Sequence, residues 1–254
     1  MKLPFDDELV QLKHGAGGRA MRALIESVFL DAGDGASTEL LAMDDGAAIP
    51  FGDRWLVVTT DAHVVQPIFF PGGDIGRLSV SGVVNDLAMM GACDVLALTA
   101  SVIVEEGFSV ELLRRVQASV REACREADAK ILTGDTKVMG RGEVDGLILS
   151  TSGLGVTDRV VRDSGLRAGD AVVITGTIAD HGLAVLSARH KLGLEGALRS
   201  DVAPLNGLVR MALKAGGAGV HAMKDPTRGG VTSALSEMAE KARVGVVLDE
   251  AALP

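Results

Sequence analysis

Aromatic side chains are scarce in this 254-residue chain, which has six Phe, one Trp and no Tyr. An aromatic core is therefore excluded, and Val, Leu, Ile and Ala must fill the interior of a chain that is 47% apolar. Cysteine is short as well: Cys93 and Cys124 stand alone, with no Cys-x-x-Cys pair to suggest a zinc site or redox couple. Cys124 falls on the apolar stripe of an expected helix, and Cys93 follows Gly91-Ala92 in a tight turn. Both read as small buried hydrophobes, and so little cysteine suits a reducing cytosol. Positive charge is also in deficit, with 25 Lys and Arg against 34 Asp and Glu, for a net charge of −9. Such a surface repels nucleic-acid phosphate and excludes binding by counterion release. It leaves a nucleotide possible, because local Lys, Arg or metal ions offset phosphate charge. No uncharged apolar stretch is long enough to span a bilayer. Met1 to Leu12 carries acids where a signal peptide needs a basic start. A cytoplasmic protein that meets neither membrane nor nucleic acid is expected.

What is present is a regular alternation of strands and helices. Residues 54–60, 95–104, a segment starting at Ile131, and 144–156 read as strands, the last interrupted by Gly146 and Gly153. Residues 76–90 read as an apolar helix closed by Gly91. Residues 109–128 read as an amphipathic helix with Ser109 as N-cap and Val110, Leu113, Val116, Val120, Cys124 and Ala127 on one stripe. A turn-rich stretch, Gly165 to Asp170, separates this part from a second one. There, 171–175 and 244–248 read as strands and 180–190, 205–215 and 231–243 as helices. The boundary falls near 160–169, giving units 1–163 and 164–254, and the class is α/β or α+β. The chain stops at Leu253-Pro254 directly after a strand, so the second unit is expected to be incomplete.

Aspartates beside glycine or threonine at element ends carry the chemical signal. They are Asp44-Asp45-Gly46, Asp61 after Thr59-Thr60, Asp86 in Val84-Asn85-Asp86-Leu87-Ala88, and Asp135 in Gly134-Asp135-Thr136-Lys137. Neighbours on a strand face opposite ways, so one of Asp44 and Asp45 faces any shared site. Singly, Asp44, Asp45 and Asp61 read as cap or turn residues. Asp86 resists that reading, because a charge on so apolar a helix needs a partner. Asp135, two residues before Lys137, is balanced between the two readings. Hard carboxylate oxygens together suit magnesium, which travels with phosphates. The His14-Gly-Ala-Gly-Gly-Arg19 segment lets backbone amides approach a phosphate, although it is neither a Walker A loop nor a Rossmann fingerprint. Phe70 to Gly76 reads as a structural turn. Asp225-Pro-Thr-Arg-Gly-Gly230 places Thr227 or Arg228 where an anion could be met, against a plain helix-initiating turn. His63 and His181 are possible proton carriers, a role less common for a lone histidine than a structural one.

In this order the motifs resemble the AIR synthase (PurM-like) superfamily, and within it the hydrogenase maturation HypE family. HGAGG at 14–18, TTDAHVVQPIFFPGGDIG at 59–76, VNDLAMMGA at 84–92, GDTKV at 134–138, ADHG at 179–182 and DPTRGG at 225–230 carry the likeness over nearly the whole chain. The resemblance implies a two-domain fold whose N-terminal α/β domain dimerises by pairing its sheets into a β-barrel, followed by an α+β domain. It implies ATP and Mg2+ as cofactors, and an ATP-dependent dehydration of a carbamoylated C-terminal cysteine, a thiocarboxamide, to a thiocyanate. The carbamoyl group would come from HypF, and the cyanide would pass to the iron of [NiFe]-hydrogenase on a HypC–HypD scaffold. Asp45, Asp61, Asp86 and Asp135 would hold the metal. Gly17, Gly18, Asp61, Asn85, Asp86, Gly134, Asp135, Thr136 and Lys137 would meet the nucleotide, with Lys137 and Asp86 catalytic. The family's terminal cysteine has no counterpart here, and Cys93 and Cys124 cannot replace it, so the chain as given is expected to bind nucleotide without completing the reaction. Related thiamine-monophosphate kinases and selenophosphate synthetases share the aspartate pattern. A small-molecule kinase, or a non-catalytic nucleotide-binding dimerisation module, is therefore the alternative.

Overall fold

A computed structural model describes residues 5–30, 37–194 and 198–254. Its centre is one five-stranded sheet. Strands β1 (Ala47–Phe51), β2 (Arg54–His63), β5 (Asp94–Glu105), β6 (Ile131–Met139) and β7 (Leu147–Thr157) lie in the order β1-β2-β7-β5-β6. All neighbours are antiparallel except β5 and β6, which run parallel. A short hairpin, β3 (Phe69–Phe70) with β4 (Gly73–Asp74), leads into the first long helix.

That helix, α3 (Ile75–Met89), starts where the Asp74 carboxylate accepts from the amides of Gly76 (2.7 Å) and Arg77 (3.1 Å). It packs with α4 (Val110–Glu126) on one face of the sheet, through Val80, Val83, Val84, Leu98, Val120 and Ala123. Each of these Val and Leu side chains taken fully from water contributes about 1.5–3 kcal/mol. Close approach depends on small residues. A Cβ on Gly76 would lie 2.5 Å from the Val116 carbonyl, and one on Gly153 would lie 2.5 Å from Val83 Cγ1. Strand β7 alternates buried and half-buried residues along its length, as a strand with one covered face must.

The other face is uncovered in the single chain, and Ile49 and Phe51 are exposed at the β1 edge. The sheet is open, with β1 and β6 as its edges, so the expected barrel does not exist within one chain. Closing it needs a second set of edges.

Helices α1 (Gly18–Leu24) and α2 (Thr38–Ala42) precede the sheet, and α5 (Asp180–His190), α6 (Asn206–Gly216) and α7 (Gly230–Ala242) follow it. Helix α6 docks beside α3, where Val209 joins Ala88, Met89 and Cys93. Buried Asn206 donates to the carbonyls of Ala127 (2.9 Å) and Cys93 (3.3 Å). The strands expected at 171–175 and 244–248 do not form, and Val173 is 86% and Val247 96% exposed. Both runs have β-rich composition, but a strand needs a neighbour to complete its ladder. Among the described residues neither run has one. No described helix is long and apolar enough to cross a membrane.

Candidate functional site

Four carboxylates from distant parts of the sequence converge where α3 meets β2. Asp45 sits in the loop before β1, Asp61 near the end of β2, Asp86 in the last third of α3, and Asp225 in the loop before α7. Asp86 is the focus. Burial pushes its carboxyl up to about 9, and the negative charges of Asp225, Asp45 and Asp61 push the same way. Opposing them, the Thr59 hydroxyl lies 3.0 Å from Asp86 Oδ2 and 2.9 Å from the Asp45 carbonyl oxygen. Burial and then Asp45 raise Asp225 to about 7. Burial also raises Asp45, against the pull of Lys224.

Asp61 behaves differently. Burial alone would raise it, but a bond with His63, the charges of His63 and Arg228, and the Ala62 amide hold it below the ordinary carboxylate value. His63 Nε2 lies 3.1 Å from Asp61 Oδ2, and Arg228 lies 3.9 Å from Oδ1. The two acids flanked by cations are thus Asp45 and Asp61, while Asp86 and Asp225 have no ion-pair partner among the described residues. His63 Nδ1 is buried without a partner in the described residues. His181 instead bonds Ser200 Oγ at 2.9 Å and stands edge-on to Phe70, so it is held by packing.

Asp44 and Asp45 point different ways in the bend before β1. Asp44 turns to Arg162 (2.7 Å) and Lys241 (3.7 Å), and Asp45 alone stands near Asp86. The buried Asp163 joins this second network, accepting from Lys241 at 2.6 Å and Lys224 at 3.2 Å.

The glycine-rich segment lies on the DPTRGG loop. A Cβ on Gly17 would come within 2.6 Å of the Arg228 backbone carbonyl, and the Gly18 amide nitrogen lies 3.5 Å from where a Gly229 Cβ would be. Gly17 and Gly18 therefore reach the rim of the acidic centre through Arg228. Asn85 does not face that centre. Its amide donates to the Ala203 carbonyl (3.1 Å) and its carbonyl accepts from the Leu205 amide (2.7 Å), so both polar ends are occupied by the backbone leading into α6.

Gly134, Asp135, Thr136 and Lys137 lie on the exposed edge strand β6. Gly134 is required there by packing, because a Cβ would collide with the Ala100 carbonyl. The register from Asp135 runs through Ser101 and Ser150 to Ala62. Asp135, and Lys137 two residues on, therefore share the face of Ala62, opposite to that of Asp61. Within one chain they are not brought to the other three aspartates.

The carboxylate set suits magnesium in kind: hard oxygens, in excess of nearby positive charge. Among the described residues no three His, Cys, Asp or Glu side chains are already gathered as a metal cage. The fit is therefore one of chemistry and charge.

The chain matches AIR synthase related protein, N-terminal domain, over residues 43–157, and AIR synthase related protein, C-terminal domain, over residues 167–254. It is 47% identical over 255 residues to the carbamoyl dehydratase HypE of Rhizobium leguminosarum bv. viciae, covering 100% of this chain and 72% of that protein. It belongs to the HypE family of carbamoyl dehydratases. A solved HypE–HypF complex contains a chain 47% identical with a TM-score of 0.84, the match covering 91% of this chain and 74% of that one. A HypE solved in complex with ATP is 41% identical with a TM-score of 0.72, covering 91% and 68%. HypE membership places this fold in hydrogenase maturation.

Three residues in or beside this centre, Asp225, Lys224 and Asp163, have no site role assigned from sequence. Asp225 opens a motif singled out there for Thr227 and Arg228, so its signal was in view. Lys224 and Asp163 carry no local signal, since their roles arise from contacts across more than sixty positions.

Proposed function

We propose that this chain binds Mg2+–ATP at the Asp45, Asp61, Asp86 and Asp225 centre. There, in our reading, it serves an ATP-dependent dehydration of a C-terminal cysteine thiocarboxamide to a thiocyanate. The carrying observation is the convergence of four acids whose burial and mutual repulsion raise Asp86 to about 9 and Asp225 to about 7. Such a centre is short of positive charge, and magnesium, when bound, would supply it while neutralising the ATP phosphates. Units 1–163 and 164–254 would close on the nucleotide from two sides, with Gly17, Gly18 and Arg228 over its phosphates.

The chemistry balances without a further reagent. The thiocarboxamide oxygen attacks the γ-phosphorus, a new O–P bond forms, and the bond to the bridging oxygen breaks as ADP leaves. The carbon–oxygen bond then breaks with loss of inorganic phosphate, while the nitrogen gives up two protons, leaving S–C≡N. The protein's tasks are positioning and charge neutralisation. Cys93 and Cys124 are unsuited to carry the carbamoyl group: both are buried, and burial raises both thiols, Cys93 to about 11.

Asp135 and Lys137 enter this reading through a homodimer. They lie on the uncovered sheet face, and pairing two such faces into a barrel would carry them toward the partner's acidic centre, with Lys137 as the proton-transfer group. Such a dimer would work in the cytoplasm, receive the carbamoyl group from HypF and deliver cyanide on HypC–HypD. Identity near 47% to a carbamoyl dehydratase supports this reading over a small-molecule kinase.

The test is calorimetry on Asp86→Asn. Magnesium-dependent ATP affinity should fall by more than about tenfold, or about 1.4 kcal/mol. An affinity equal to that of the unaltered chain would remove Asp86 from the site and the reading with it.

A further inference from the structure

We propose that Lys224 is a positioning residue for the acidic centre: braced by the buried Asp163, its ammonium sets the Asp45 carboxylate and ties the loop before α7 to the loop before β1. This rests on the nucleotide site proposed above. Lys224 Nζ lies 3.0 Å from Asp45 Oδ1, 3.2 Å from Asp163 Oδ2 and 3.6 Å from Glu237 Oε2, with its side chain 11% exposed. A lysine ammonium has three donors. Two of them are held by Asp45 and Asp163, and the third faces Glu237 at ion-pair range, so the ammonium is committed mainly to carboxylates of this chain. Lys224 therefore acts mainly through Asp45.

The brace is itself fixed. Asp163 Oδ2 also accepts from Lys241 at 2.6 Å, and Lys241 donates at 2.7 Å to the carbonyl of Met43, the residue before Asp44-Asp45. Met43 is held at φ +48°, a left-handed conformation that closes α2. Two lysines from the second half thus grip both ends of the short segment that presents Asp45. One grips its side chain and the other the backbone ahead of it. Asp163, in the connection between the halves, keeps the two lysines together. Without Lys224, Asp45 and Asp163 would each lose a cation in a buried setting, and the most direct relief for Asp45 is to swing away from Asp86 and Asp225.

The experiment is a magnesium titration of ATP binding, followed calorimetrically, on the unaltered chain, Lys224→Met and Lys224→Arg. Binding by the unaltered chain tests the nucleotide site itself, and its absence overturns that reading alone. With binding present, Lys224→Met should move the magnesium concentration for half-saturation upward by about tenfold, and Lys224→Arg should restore most of it. A midpoint that stays put or falls overturns the proposal, and a fall would mark Lys224 as a charge that competes with the metal. Melting curves without nucleotide report whether the variants fold. If Lys224→Met does not, the isosteric Asp163→Asn, which weakens the brace and keeps its shape, should raise the midpoint severalfold, and an unchanged midpoint overturns the proposal equally.

Discussion

The hydroxyl of Thr59 lies between two acids, 3.0 Å from the side chain of Asp86 and 2.9 Å from the backbone carbonyl of Asp45. Residues from a strand, a helix and a loop are indexed to one another by that single oxygen. Replacing Thr59 with the isosteric Val keeps the packing and removes the bond. Because the site is buried, the loss should be about 1–3 kcal/mol of stability, read as a lower urea midpoint at unchanged slope. Magnesium–ATP affinity should fall in the same variant.

Asp86 makes the chain's stability depend on alkali. Its folded carboxyl holds a proton from the ordinary value of 3.8 up to about 9, whereas the unfolded chain has released it over that window. The folded state then binds more protons, so this group's contribution declines as pH rises toward 9. Asp225 acts likewise between 3.8 and about 7. Denaturant midpoints measured without magnesium at pH 6 and pH 9 should show the decline. Asp86→Asn should flatten it and be the more stable protein at pH 9.

Gly17 adopts φ +83°, and a methyl group there would sit 2.6 Å from the Arg228 carbonyl. Gly17→Ala should therefore lift the glycine-rich segment off the DPTRGG loop while leaving the sheet intact. Faster amide exchange at residues 15–18, with an unchanged melting temperature and weaker ATP binding, is the expected pattern. Unchanged exchange would mean that the segment adjusts in place.

The two-face arrangement predicts complementation. Lys137→Ala leaves the acidic centre intact, and Asp86→Asn leaves Lys137 intact. In the full-length enzyme each variant alone should fold and lose turnover. If each site draws on both copies, an equal mixture allowed to exchange subunits should regain about a quarter of the unaltered activity, from one complete site in each mixed dimer. A mixture as inactive as its parts would place Lys137 outside the partner's site.

Several of these features were legible in the sequence for reasons that can be named. Asp86 stood out because an acid on an otherwise apolar helix needs an explanation, and its surroundings supply one in Thr59 and three further acids. Helices α3 and α4 are legible nearly to their ends, since Gly91 closes the first, Ser109 caps the second and apolar spacing marks the rest. The absence of strands at 171–175 and 244–248 is not legible, because β-rich composition does not reveal whether a ladder partner exists. Asp225, Lys224 and Asp163 could not be placed, because their meaning lies in contacts with loops far away in sequence. The face on which Asp135 and Lys137 sit depends on register, which appears only once the strands are paired.

Asn85 and Asp86 are neighbours on one turn of α3, yet one holds the backbone at residues 203–205 and the other sits in the acidic centre. That turn works as a gauge, fixing how far the second half of the chain stands from the acids it must reach. The spacing of the residues just ahead of α6 is thus part of the site's geometry, although none of them lies in it. An extra residue between Ala203 and Leu205 would leave Asp45, Asp61 and Asp86 in place and still set Asp225 at the wrong distance from them.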